Sequence, residues 1–232
     1  MASSPVSASS AGVAVAGATG LAVFGPLLGL SPAWIALGLG AGLLGLTLDA
    51  YQWQGLGGHL LAESLPGGRA RLRRIASHEA GHLLVAQAEA LPVLRVLVGT
   101  RACLQAGLRS NGATEFALPE SVRMPLEDLR RWSRVLQAGI AAETLLYGKA
   151  RGGADDRALL GRLWGLSGHD VDTAQREQRR ARREVDQQLR REQPQLEQLR
   201  DQLLAGLVSL QATDEISGDG LSDGLSDGSG DG

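Results

Sequence analysis

Residues 77–84 read Ser-His-Glu-Ala-Gly-His-Leu-Leu, so His78 and His82 stand four apart and Glu79 directly follows the first histidine. If the stretch is helical, both imidazoles lie on one face, one turn apart. Two nitrogens so placed can meet one zinc ion at about 2.0–2.1 Å. Glu79 is rotated by roughly 100° from His78, so it does not join the ligands but sits beside the open coordination position. A carboxylate there can take a proton from water and later deliver it to a leaving amine, the chemistry of H-E-x-x-H peptidases. The competing reading is a plain helix with two surface histidines paired to Glu79. Gly81 weighs against it. A glycine inside a helix costs about 1 kcal/mol relative to alanine, so a second helix or a substrate backbone should approach closely there.

A catalytic zinc takes three protein ligands, and the third must come from elsewhere. The candidates are His59, His169, Asp155, Asp156, Asp170 and Glu143. Glu143 lies in an otherwise apolar helical stretch and shares a face with Leu129, Trp132, Leu136 and Ile140. A buried carboxylate must be paired. It reads equally as a hydrogen-bond hub or as the group that orients a zinc-ligating histidine. Asp155 and Asp156 follow two glycines and precede an apolar periodic run, a helix-start pattern in which one of them can cap and one can ligate.

These residues need elements to hold them. Leu72, Ile75, Ala76, Leu83 and Leu84 sit at helical spacing, which predicts a helix from about residue 69 to residue 91, ended by Pro92. Residues 93–98, "VLRVLV", read as a short strand able to hold a substrate chain extended. Residues 99–120 read as loop or weak hairpin. A long helix over residues 126–147 is closed by Gly148. Residues 172–209 form one or two helices broken near Pro194. Their Arg-rich run reads as a solvated face, with contact to an anionic membrane surface as the alternative.

Residues 11–48 carry no charge, long enough for two short membrane spans with a turn near Ser31-Pro32. Arg69, Arg71, Arg73 and Arg74 follow the run, which places the main domain on the cytoplasmic (or stromal) side. The predicted organisation is a disordered tail over 1–10, a transmembrane helical hairpin over 11–48, a linker over 49–68, a mainly α domain over 69–213 with one short strand or hairpin, and a disordered acidic Gly/Ser/Asp tail over 214–232. The net charge of −2 gives no reason to expect a nucleic-acid partner. The single cysteine, Cys103, excludes a disulfide framework and reads as a small core residue.

Taken in order, these segments resemble the peptidase domain of the FtsH family of membrane-anchored zinc proteases. The carriers are HEAGH at 78–82, "AGIAAETLLYG" at 138–148, "GGADD" at 152–156 and "LRDQLLAGLVSLQATDEI" at 199–216. The resemblance implies a mostly helical zinc-peptidase domain with Zn2+ on His78, His82 and Asp156 and with Glu79 as the catalytic glutamate. Asp155 stands where the family usually has Asn, which leaves Asp155 as the alternative third ligand. The family's ATPase module is missing: there is no G-x-x-x-x-G-K-[ST], and only residues 49–68 lie between the apolar run and the domain. In this the chain is similar to the shorter ATPase-less relatives of photosynthetic organisms. The implied function is a membrane-anchored zinc endopeptidase. Its substrates would be membrane-linked or unfolded chains, or chains delivered by a separate ATPase or FtsH-type protease, with homo-oligomerisation left open. The alternative is an idle protease-fold scaffold or partner. An intramembrane protease is disfavoured because the histidines follow four arginines rather than lying inside an apolar span.

Overall fold

The computed structural model describes residues 8–52, 55–117 and 123–206, with side chains from Val15 onward. The predicted tail at 214–232 lies outside these residues. Helix α1 (Ala8–Phe24) begins inside the segment expected to be a disordered tail. A short 3-10 turn (Pro26–Leu28) leads to α2 (Pro32–Gln52), which has proline at its first position, where the missing N–H costs nothing. Among the described residues α2 is the one helix long and apolar enough to cross a membrane. The apolar part of α1, Val15–Phe24, is shorter. The composition thus yields one helix of spanning length rather than the expected pair. The large side chains of α2, such as Trp34, Leu37 and Leu43, stand exposed.

The interval expected to be a linker carries a helix, α3 (Leu56–Ser64), tied at both ends. The Asp49 carboxylate accepts hydrogen bonds from the amides of Gly57 (2.8 Å) and Gly58 (2.9 Å) at its start. Glu63 near its end accepts from the amide of Thr100 (2.9 Å) and its hydroxyl (2.6 Å). Gly57 and Gly58 disfavour a helix start in the sequence, although Leu60–Glu63 favour helix; these tertiary carboxylates satisfy the orphan N–H groups of two helix starts.

The domain proper comprises α4 (Gly68–Ala88), β1 (Val93–Val98), α5 (Thr100–Gln105), β2 (Gly112–Phe116), α6 (Leu126–Tyr147), α7 (Ala154–Leu166), α8 (Val171–Arg191) and α9 (Gln193–Leu204). The two strands pair antiparallel, with Val96 opposite Thr114 and Val98 opposite Gly112. The chain leaves α4 three residues earlier than the Pro92 signal predicts. Ala90 takes a left-handed conformation (φ 52°), and the Leu91 amide turns back onto the Ala86 carbonyl. By contrast α6 ends as predicted, with Gly148 left-handed at φ 76° and its amide on the Thr144 carbonyl.

Helix α4 is the centre of the domain, packed against α6, α9 and both strands, with α8 on the far side of α6. One core joins Ala76, Ala80 and Val85 of α4 to Val135, Ala138 and Ala142 of α6, and to Val185, Leu189 and Leu196 of α8 and α9. A second gathers Leu129, Trp132 and Leu136 of α6 with Leu160 and Trp164 of α7, and the Trp164 indole N–H donates to Ser133 Oγ at 2.9 Å. The small residues on the α4–α6 seam let the two backbones approach closely. A Cβ added to Gly81 would stand 2.7 Å from the Ala138 carbonyl oxygen and 2.7 Å from Ala142 Cβ. The glycine expected to admit a second helix does so.

Candidate metal centre

His78 and His82 project from the buried half of α4 toward α6. His82 Nδ1 lies 2.8 Å from the Val135 carbonyl and must carry the hydrogen that it donates there. His78 Nδ1 lies 2.8 Å from Glu143 Oε1 and donates in the same way. Both rings therefore turn Nε2, the nitrogen that bears the lone pair in the neutral imidazole, toward each other at 3.1 Å. Asp156, in the first turn of α7, brings Oδ2 to 3.0 Å from His78 Nε2 and 3.4 Å from His82 Nε2. Three electron-rich atoms thus converge on one point. The edges of a tetrahedron with bonds of 2.0–2.1 Å are roughly 3.3–3.4 Å, close to the 3.0–3.4 Å found.

Room for a cation is kept by Gly139. A Cβ there would lie 2.4 Å from His78 Nε2 and 2.6 Å from His82 Nε2. Any side chain at this position of α6 would thus press on both ligand nitrogens. The chemistry of the donor set, two neutral imidazoles and a carboxylate, fits a borderline-soft divalent ion such as zinc. The coarse result is that His78, His82 and Asp156 form a group that could hold a metal ion. Asp155 is exposed and outside that group. Neither aspartate caps α7: Gly153 occupies that position, left-handed at φ 86°, with no side-chain cap bond. His59 pairs with Arg71, His169 meets the Trp164 ring edge-to-face, and Asp170 caps α8 through the Thr173 amide at 2.8 Å. These three alternatives are occupied elsewhere.

Glu143 is both hub and orienting group. Its Oε1 takes the His78 Nδ1 proton and the Gly152 amide (3.1 Å), and its Oε2 takes the Arg151 amide (2.9 Å) and Arg74 Nη1 (3.1 Å). The loop that delivers Asp156 is therefore pinned by the same carboxylate that fixes the His78 ring. Burial opposes ionisation of Glu143, yet these partners hold its carboxyl below the usual range. Asp156 is likewise held well below its ordinary value: burial opposes this, but the His78 and His82 contacts win. Burial pulls His78 down, but the hydrogen bonds to Asp156 and Glu143 outweigh it and lift the imidazole to about 10. A proton and a cation therefore compete for one electrostatic well.

Glu79 points to a different neighbour. Its Oε2 accepts the Thr114 hydroxyl at 2.7 Å, and a Cβ on Gly112 would stand 2.6 Å from Oε1. The strand against this carboxylate is thus β2. Burial raises the Glu79 carboxyl above its ordinary value, against the pull of His78 and His82. That is the direction a general acid–base group requires. Two contributors escaped the sequence reading. Thr114 lay in a segment read as loop or weak hairpin and was assigned no role, and Arg74 was counted only for its charge, although its guanidinium also lies 4.4 Å over the Tyr147 ring.

Comparison of the chain with protein-family models, with curated proteins and with solved structures finds no match.

Proposed function

We propose that this chain is a membrane-anchored zinc-dependent endopeptidase of the FtsH type that lacks an ATPase module of its own. The observation that carries the reading is the convergence of His78 Nε2, His82 Nε2 and Asp156 Oδ2 in the space kept open by Gly139. A zinc ion held there would supply Lewis acidity toward a scissile carbonyl. The chain's own residues do the rest. Glu79, a carboxylate of raised proton affinity, takes the proton of the attacking water and returns it to the leaving amine nitrogen. Thr114 holds that carboxylate in one orientation. Glu143 and the Val135 carbonyl fix the tautomers and planes of the two histidines. Helix α2 anchors the domain at a bilayer, and the arginines at the start of α4 set it on the cytoplasmic or stromal side. Substrates are membrane-linked or unfolded chains, or chains passed on by a separate ATPase, since no nucleotide-binding loop occurs in the sequence.

A second reading, a protease fold kept as an idle partner of active proteases, is favoured by one observation. Glu79 is only 5% exposed, and the Gly112 backbone lies against it. Purified full-length protein loaded with zinc and offered unfolded casein separates the two. The peptidase reading requires cleavage that Glu79→Gln abolishes while zinc stays bound. Absence of cleavage by zinc-loaded protein, or cleavage unchanged in Glu79→Gln, refutes it.

A further inference from the structure

Helix α8 buries Ala174, Ala181, Val185 and Leu189 and presents the opposite face to solvent. That outer face carries Arg176, Arg179, Arg180, Arg183, Arg190 and Arg191, all exposed. These positions fall on one side of the helix as a stripe in two groups, 176–183 and 190–191, that together span about 22 Å at 1.5 Å per residue. Three of the four acids of α8 are engaged in ion pairs, one of them with Arg180 of the stripe, while Asp172 stands exposed in the first turn. Glu177 pairs with Arg130, Glu184 with Arg134 and Arg180, and Asp186 with Arg182. Among the described residues Arg176, Arg179, Arg183, Arg190 and Arg191 make no ion pair with a carboxylate; Arg176 and Arg179 reach only Thr173 Oγ1 and Gln175 Oε1. An unneutralised cationic row of this kind calls for an anionic occupant.

The same chain supplies one. Beyond α9 the sequence contains Asp214, Glu215, Asp219, Asp223, Asp227 and Asp231 and no basic residue. The chain as a whole has 23 basic and 25 acidic residues, so without these six acids the balance would be 23 against 19. The charge asymmetry of the protein lies between a cationic body and an anionic end. We propose that the acidic C-terminal segment, residues 214–232, docks along the arginine stripe of α8.

The connectivity allows it. Only Glu192 separates α8 from α9. The end of α9 therefore lies about 18 Å from the C-terminal end of the stripe, the length of its own 12 residues. The eight residue steps from Gly206 to Asp214 can span at most about 26–29 Å, enough to return to α8. The 19 residues that follow exceed the length of the stripe. Single exposed ion pairs contribute little. Six acids tethered near six arginines act at a high effective concentration and as a group, and their attraction weakens with salt as the Debye length shortens. The docked segment neutralises the stripe and keeps an anionic membrane surface, its rival occupant, from α8.

The test places the photo-crosslinking residue p-benzoylphenylalanine at Leu225 of the full-length chain in neutral detergent micelles and maps the adducts by mass spectrometry. Adducts should concentrate on α8 at about 20 mM salt and fall at least about fivefold at about 0.5 M. They should fall as far in the variant R176Q/R179Q/R183Q/R190Q, whose exposed positions leave the fold, checked by circular dichroism, unchanged. Adducts spread away from α8, or indifferent to salt and to the variant, overturn the proposal. So does loss of the α8 adducts in anionic vesicles but not in zwitterionic ones, which would assign the stripe to the lipid surface.

Discussion

Replacing Gly139 with alanine tests the geometry of the centre without removing a ligand. The added Cβ would stand 2.4 Å from His78 Nε2 and 2.6 Å from His82 Nε2, where ordinary contact begins at 3.4 Å. At least one imidazole must retreat by about 1 Å, several times the ±0.2 Å within which a metal–ligand distance holds. Loss of one ligand from three should weaken zinc binding at least about 100-fold, or about 2.7 kcal/mol at 1.36 kcal/mol per decade. The effect on the fold is smaller. Alanine in place of glycine in a helix gains about 1 kcal/mol, against an overpacking cost of about 1–3 kcal/mol. The metal-free variant should therefore unfold within about 2 kcal/mol of the parent. A chelator-competition titration gives the affinity, and urea denaturation of both metal-free proteins gives the stability. A variant that binds zinc as tightly as the parent would refute the placement of the metal between these two nitrogens.

Three further outcomes follow from other parts of the molecule. Thr114→Val removes the hydroxyl that donates to buried Glu79; urea denaturation should show a loss of about 1–3 kcal/mol, recovered in Thr114→Ser. Cys103 is fully buried, and burial pushes its thiol up to about 11. A maleimide at pH 8 should therefore leave the native protein unlabelled and react once urea unfolds it. Because the folded thiol stays protonated while the unfolded one ionises near 9, its contribution to stability is present below pH 9 and lost as pH rises toward 11. The gap in urea midpoint between the parent and Cys103→Ala should shift accordingly between those values. Deleting residues 1–47, which spares the Asp49 cap on α3, should move the protein from the carbonate-resistant membrane fraction to the soluble one.

Where local chemistry dictates local structure, the sequence was readable. The β-branched run at 93–98 forms β1, and the apolar periodicity of α6 stops at a glycine that can adopt φ 76°. Gly81 signalled a close helix crossing because its helical cost had to be offset by packing. What escaped depends on contacts distant in the chain. Helix α3 contains two glycines and is held by Asp49 at its start and, through Glu63, by Thr100 at its end. Strand β2, "GATEF", left open between loop and weak hairpin, has weak apolar patterning and is defined by its partner β1 and by Glu79. Asp155 and Asp156 differ by one residue, about 100° of helix. The turn geometry set by left-handed Gly153 decides which of them faces the histidines. The apolar N-terminal run fixes composition but not helix length, so two expected spans became one helix of spanning length.

The proposed centre holds one zinc ion on His78, His82 and Asp156 beside Glu79. Elemental analysis by inductively coupled plasma mass spectrometry, on full-length protein purified without chelator, tests it most directly. The parent and Glu79→Gln should each carry about one zinc per chain, and Asp156→Ala less than about a tenth of that. A parent protein that carries none after incubation with zinc, or an Asp156→Ala variant that keeps a full equivalent, would contradict it.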